Sequence, residues 1–310
     1  MNPLAAVRET TAWVVSQATH VTIDDEAIVR EADALAQALA EAPAHSWDTH
    51  HHYAEDNPLT AQYLLVVDAL NFCFWPDPTW SYNELAMALK QVIEADRRAF
   101  EASRLEQITA ETLRAWLGRD LPLMDERVRL LREVGHGLRE HFDGYAVNLI
   151  LAAQGSAAQL VGLVAAAFPG FRDHAIYRGR QIFFYKRAQI FAGDLWGAYE
   201  RRGLGAFRDV GDVTTFPDYR VPQVLRALGI LRYAPALARR IDAGEEIAPG
   251  SEEEVEIRAA TVQAVEHLCL ALAERGHSLL PVELDWHLWQ YGEANEAHLP
   301  PHHRTLTIYY

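Results

Sequence analysis

The chain has 310 residues, half of them apolar and 23% charged, an ordinary globular balance that excludes a mainly disordered polymer and allows a sizeable core. Lys and Arg number 28 against 43 Asp and Glu, a formal net charge of −15. A phosphate polymer needs a basic track, so no nucleic-acid polymer is expected as partner, although a local pocket for one phosphate remains allowed. Cys73 and Cys269 cannot build a disulfide framework or a Cys-rich zinc site, and they fit a reducing compartment. Arg8 and Glu9 interrupt what would be a signal's apolar stretch, and the apolar run over 160–168 is too short to span a bilayer. The expectation is a cytoplasmic protein without membrane association.

In chain order, Ile28, Ala32, Leu35 and Leu39 follow the acidic Asp24, Asp25 and Glu26. This predicts an amphipathic helix with acids at its positive end. Ser81 and Glu84 form a capping-box signature that opens a second helix. Leu131, Val134, Leu138 and Phe142 mark one face of a third, with Gly144 just past its end. Residues 145–168 are rich in Ala, Leu and Val and predict one nearly buried helix, stopped by Pro169 and Gly170. RQIFFY (180–185) and TLTIYY (305–310) are the clearest strand signals. Ser251 and Glu254 signal a capping box for a helix running to about Gly276. No strand–helix alternation or fixed repeat occurs. The fold class is therefore mainly α, compact, with at most a small β element. We read residues 1–310 as a single domain, with a helical N-terminal part over about 1–145 and a helical C-terminal part over about 146–310.

The chain lacks a GxGxxG turn, a P-loop, a GxSxG elbow and HExxH, so the common nucleotide, hydrolase and metalloprotease signatures are missing. Among its candidates, His50, His51 and His52 form a triplet that serves as a loop, a pocket wall or, least readily, a metal site, because adjacent His rarely converge on one ion. Asn71 enters an aromatic cluster with Phe72, Phe74 and Trp75, which reads either as core or as an amide beside a wall for a flat heterocycle. Lys186 and Arg187 follow an aromatic run, where Lys186 either snorkels or meets a phosphate. Asp218 precedes a helix whose first turn contains Pro222. It is an N-cap, or a carboxylate aimed at a developing cation; the spacing leaves both open. In a helix Asp285 and Trp289 share a face at i and i+4, which places an acid beside an indole, suited to a flat cationic or hydrogen-bonding ligand or to a capped core helix.

LNFCFWP (70–76), FYKRAQI (184–190), TTFPDYRVPQVLR (214–226), LDWHLW (284–289) and the ending HHRTLTIYY together resemble the queuosine salvage protein family, from about residue 20 to 310. The resemblance implies a mainly helical fold similar to helix-hairpin-helix DNA glycosylases. It implies hydrolysis of the bond between queuine, a 7-deazaguanine base, and ribose 5′-phosphate, with no cofactor and no metal. The family's important Asp and Lys fall on Asp218 and Lys186; Pro217 stands where relatives often have Ala. By the same resemblance His52, Asn71, Phe72, Phe74, Lys186, Phe216, Tyr219, Asp285 and Trp286 are expected at the substrate, with Asp218 catalytic. Lys186 would hold the 5′-phosphate, and Phe72, Phe74 and Trp286 would stack on the base. A carrier that holds queuine or a nucleoside without chemistry is the alternative. A polymer glycosylase, suggested by fold analogy alone, is opposed by the net charge.

Overall fold

The computed structural model describes residues 2–41 and 47–310. In chain order these form α1 (Pro3–Gln17), β1 (Val21–Ile23), α2 (Asp25–Glu41), α3 (Pro58–Leu70), α4 (Tyr82–Ala95), α5 (Ala102–Leu105), α6 (Ala110–Leu117), α7 (Met124–His141), α8 (Ala146–Ala152) and α9 (Ala157–Ala167). The hairpin β2 (His174–Tyr177) and β3 (Arg180–Phe183) follows, then α10 (Lys186–Ala198), α11 (Arg220–Ala227), β4 (Leu231–Tyr233), α12 (Pro235–Asp242), α13 (Glu252–Glu274) and α14 (Pro281–Asn295). The fold is mainly α. Its sheets are two antiparallel pairs, β1 with β4 (Val21 opposite Tyr233) and β2 with β3 (His174 opposite Phe183). No described helix is long and apolar enough to cross a membrane.

The capping signals set most helix starts. Asp24 Oδ1 accepts the Ala27 N–H, and Ile28 and Ala32 of α2 are buried as their spacing predicts, with Leu35 packed beside them. The side chain of Leu39 lies outside the described residues. The Ser81–Glu84 box opens α4. At α13 only half of the expected box forms. Ser251 accepts the Glu254 N–H, but the Glu254 carboxyl turns instead to Gly250 N–H and the Tyr310 hydroxyl.

Two expectations are corrected. The single helix over 145–168 is broken into α8 and α9, because Gln154 and Gly155 take left-handed φ of 51° and 70°. Ser156 then caps α9, and Asp209 accepts the Ala157 and Ala158 N–H groups. The tail over 305–310 is not a strand. Thr305, Thr307 and Tyr310 are buried one by one, and the backbone pairs only through a bridge at Arg304 and the Cys73 N–H on the Tyr310 carbonyl. β propensity needs a partner strand, and among the described residues none runs alongside.

α3 is buried over its full girth. Its C-terminal carbonyls would be stranded without water. Two buried arginines satisfy them: Arg127 donates to Leu70 O at 2.6 Å and Arg187 to Ala69 O at 2.6 Å. Cations at a helix C-terminus also oppose its partial negative charge. One core gathers α3, α4 and α7 to α10; a second gathers α2 and α11 to α14. Gly193 and Gly197 let α10 pack closely against the segment before α11, the start of α14 and Trp47. A Cβ on Gly193 would lie 3.1 Å from both Phe216 and Val282, and one on Gly197 would lie 2.7 Å from the Trp47 ring.

Candidate active site

A cavity of about 320 Å³ opens between these two cores. α10 contributes Lys186, Ile190 and Asp194 at helical spacing, and α14 contributes Asp285, Trp286, Trp289 and Glu293. The loop after α3 supplies Asn71, Phe74 and Trp75, and the segment before α11 supplies Phe216, Asp218 and Tyr219.

The segment over 214–218 is fixed at nearly every residue. Gln189 accepts the Thr214 N–H at 2.9 Å. Asp285 accepts the Thr215 hydroxyl, and the Phe216 N–H at 2.7 Å. Arg258 donates to the Pro217 carbonyl at 3.0 Å. Asp218 Oδ1 accepts the Arg220 and Val221 N–H groups at 2.8 and 2.9 Å. Asp218 therefore caps α11, and the same side chain lines the cavity.

Lys186 is the first residue of α10 and is 4% exposed. It does not snorkel. Its ammonium donates to Asn71 O at 3.3 Å, and its backbone N–H reaches Asp173 Oδ2 at 3.1 Å. Burial pulls the ammonium down to about 8, opposed first by Asp218 and then by Asp68 and Asp285. Asp285 is buried, and burial pushes its carboxyl up to about 7, with the Asp218 charge adding to the rise and Lys186 opposing it.

The His triplet divides. His50 is exposed and His51 pairs with Asp48 at 2.6 Å. His52 alone lines the cavity, where burial pulls it down to about 4 and leaves a neutral ring beside Trp47 and Tyr82. Among the described residues, one group of ligating side chains is close enough to share an ion: His20, Glu252 and Glu256, outside the cavity. There Glu256 Oε2 already accepts the N–H groups of Thr19, His20 and Val21, so it is spent on backbone.

Of the residues expected at the substrate, the structure brings His52, Asn71, Phe74, Lys186, Phe216, Asp218, Tyr219, Asp285 and Trp286 to this cavity. Phe72 is the exception. It is fully buried, with the Arg127 guanidinium 4.2 Å from its ring and Arg187 at 5.2 Å. The left-handed φ of 52° at Cys73 turns the chain, so that Phe74 reaches the cavity and Phe72 the core. Trp289, the indole read beside Asp285, and His302 line the cavity as well, whereas sequence reading missed Asp194, Tyr82 and Trp47, which also line it, and Asp68 behind it. Two signals were available: Asp194 lies eight residues from Lys186 on one helix face, and Asp68 is the sole acid in the apolar run over 63–70.

A family profile described as "Queuosine salvage protein" matches residues 51–310. A Dictyostelium discoideum protein named queuosine 5′-phosphate N-glycosylase/hydrolase is 50% identical over the whole of both chains. Proteins of the same name from Sphaerobacter thermophilus and Mus musculus are 48% and 34% identical, covering 98% and 100% of this chain and 97% and 100% of their own. The site was assembled from the motifs that carried the resemblance, and the match now extends over most of the sequence: the chain belongs to the queuosine salvage protein family.

Proposed function

We propose that this protein hydrolyses the N-glycosidic bond of queuosine 5′-monophosphate and releases queuine. One observation carries the reading: in a chain of this family, two carboxyl groups with opposed surroundings, Asp218 and Asp285, line one aromatic cavity. Glycosidic cleavage passes through an oxocarbenium-like state and needs both a stabilising carboxylate and help for the leaving group. A 7-deazapurine has carbon at position 7, so the base must take its proton elsewhere.

Asp218, held by two backbone N–H groups, offsets the positive charge that grows at the anomeric carbon. As the C–N bond breaks, its electron pair goes to the base. Asp285 supplies the proton through the oxygen that Thr215 and Phe216 do not occupy. A carboxyl near 7 is matched to that task at neutral pH. Water then adds to the anomeric carbon, and the proton it loses returns to the Asp285 carboxylate, which restores the acid. Phe74 and Trp286 flank the base, and the neutral His52 offers it a hydrogen bond.

Lys186 serves Asp218 rather than the phosphate in this reading. A phosphate dianion beside it would also meet Asp218, Asp285 and Asp68. The 5′-phosphate goes to the rim, where Arg304 and His302 line the cavity. Among the described residues no carboxylate lies within ion-pair distance of Arg304. The test is release of queuine from queuosine 5′-monophosphate and from queuosine, followed by chromatography. Faster release from the monophosphate supports the reading; tight binding without release makes the protein a carrier.

A further inference from the structure

The α10 wall of the cavity carries one carboxyl group, with a second behind it, that the chemistry at Asp218 does not use. Asp194 lines it from α10, 4% exposed. Eight residues of helix place it about 12 Å from Lys186 along the axis. Behind it lies Asp68 of α3, fully buried, and no donor is well placed on either of its oxygens. The two carboxyl groups are within hydrogen-bonding reach of each other. Two bare carboxylates in that contact repel, and the contact becomes favourable when one holds a proton. The groups facing the pair are Tyr82, whose hydroxyl donates to Asp194 Oδ2 at 3.3 Å, with Asn71, Lys186 and Arg187 beyond. Burial pushes both acids up. A proton shared in that contact leaves one carboxyl neutral and the other charged.

Aromatic rings line the cavity beside Asp194: its partner Tyr82 meets Trp289 edge-on at 5.8 Å, and Trp286 forms another part of the wall. A flat base stacked on such a wall presents its edge to the carboxylate. A carboxylate there accepts two parallel N–H donors, and a guanine-type edge offers a ring N–H beside an exocyclic amino group.

We propose that Asp194, backed by Asp68, is the specificity-determining residue that reads the ring N–H and the 2-amino group of a guanine-type base. This rests on the function proposed above and names the recognition within that same site. A hydrogen bond to a charged acceptor is worth roughly tenfold or more in affinity. The test is equilibrium binding of queuine, 7-deazaguanine, which lacks the side chain, and 7-deazahypoxanthine, which also lacks the 2-amino group.

The wild-type protein should bind 7-deazaguanine at least about tenfold more tightly than 7-deazahypoxanthine. Asp194→Asn should bring that ratio close to one, since an amide sets a donor against a donor. Asp68→Asn should keep the ratio, because its amide N–H replaces the shared proton. Equal binding of the two bases by the wild type overturns the proposal whether or not the variants fold. So does an Asp194→Asn protein that keeps the ratio, or one that loses only the preference for queuine over 7-deazaguanine, which would place the carboxylate at the side-chain amine. Loss of the ratio in a folded Asp68→Asn protein refutes the shared proton. Wild-type hydrolysis of queuosine 5′-monophosphate is measured alongside. Hydrolysis without the ratio sinks this inference alone, whereas neither hydrolysis nor binding of any base sinks the functional reading.

Discussion

Asp173→Asn tests the frame that holds the site. The Arg258 guanidinium, 2% exposed, donates to both Asp173 oxygens at 2.9 and 2.6 Å and to the Pro217 carbonyl at 3.0 Å. Asp173 also accepts the Lys186 N–H. One ion pair therefore ties the start of α10 to the residue before Asp218. Removing its negative partner leaves a buried cation, which typically costs about 3–5 kcal/mol. Glu254 remains 3.6 Å from Arg258, so the lower figure applies, about 3 kcal/mol. Over 310 residues the unfolding entropy is about 0.65 kcal/mol/K, and Tm should fall by about 5 °C. Calorimetry measures the shift. Pairing the change with Arg258→Met should restore part of the loss, because the unpaired charge is then gone. A single variant within about 1 °C of wild type, or a double variant whose losses simply add, would refute the reasoning.

The remaining expectations concern pH and charge. Asp285 works as an acid, so turnover should fall as pH rises through about 7, where it loses its proton. Asp285→Asn should cut kcat roughly a hundredfold or more and abolish that limb of the pH profile; an unchanged limb removes the acid role. Lys186→Ala should slow nucleotide and nucleoside alike, and a loss confined to the nucleotide would return the phosphate to Lys186. His52 and His303 are held down to about 4 and about 3 by burial. The unfolded chain binds their protons below about 6.5 while the folded chain does not, so each ring should take about 2 kcal/mol from stability on acidification from pH 7 to 5, opposed in the whole protein by the buried acids Asp285 and Asp194, which gain protons in the folded state over the same range. Urea unfolding of the wild type against His303→Gln at the two pH values isolates one ring, and a stability difference that does not change with pH would show that it is not held neutral.

Local signals in the sequence carried far where one residue decides the outcome. The Ser81 cap, the acids at the start of α2 and the face containing Leu131, Val134 and Leu138 all appear as their spacing predicts. The cap at Asp218 was legible because it is local, its carboxyl accepting the N–H groups two and three residues further on. Elements whose state depends on a distant partner were not. The tail over 305–310 has strand-like residues but packs singly, and the break at Gly155 is stabilised by Asp209, more than fifty positions away. Phe72 and Phe74 are equivalent by composition, and only the left-handed turn at Cys73 separates core from cavity. Asp68 looked like part of an apolar helix, and its pairing with Asp194 exists only once α3 and α10 are packed together.

Queuine release in a single turnover, wild type against Asp218→Asn, tests the central claim most directly. The asparagine carbonyl can still accept the Arg220 and Val221 N–H groups, so the cap and the fold should persist. The account predicts that the variant binds queuosine 5′-monophosphate about as tightly as the wild type and releases no queuine on the wild-type timescale. Release at a near-wild-type rate by the folded variant would contradict it.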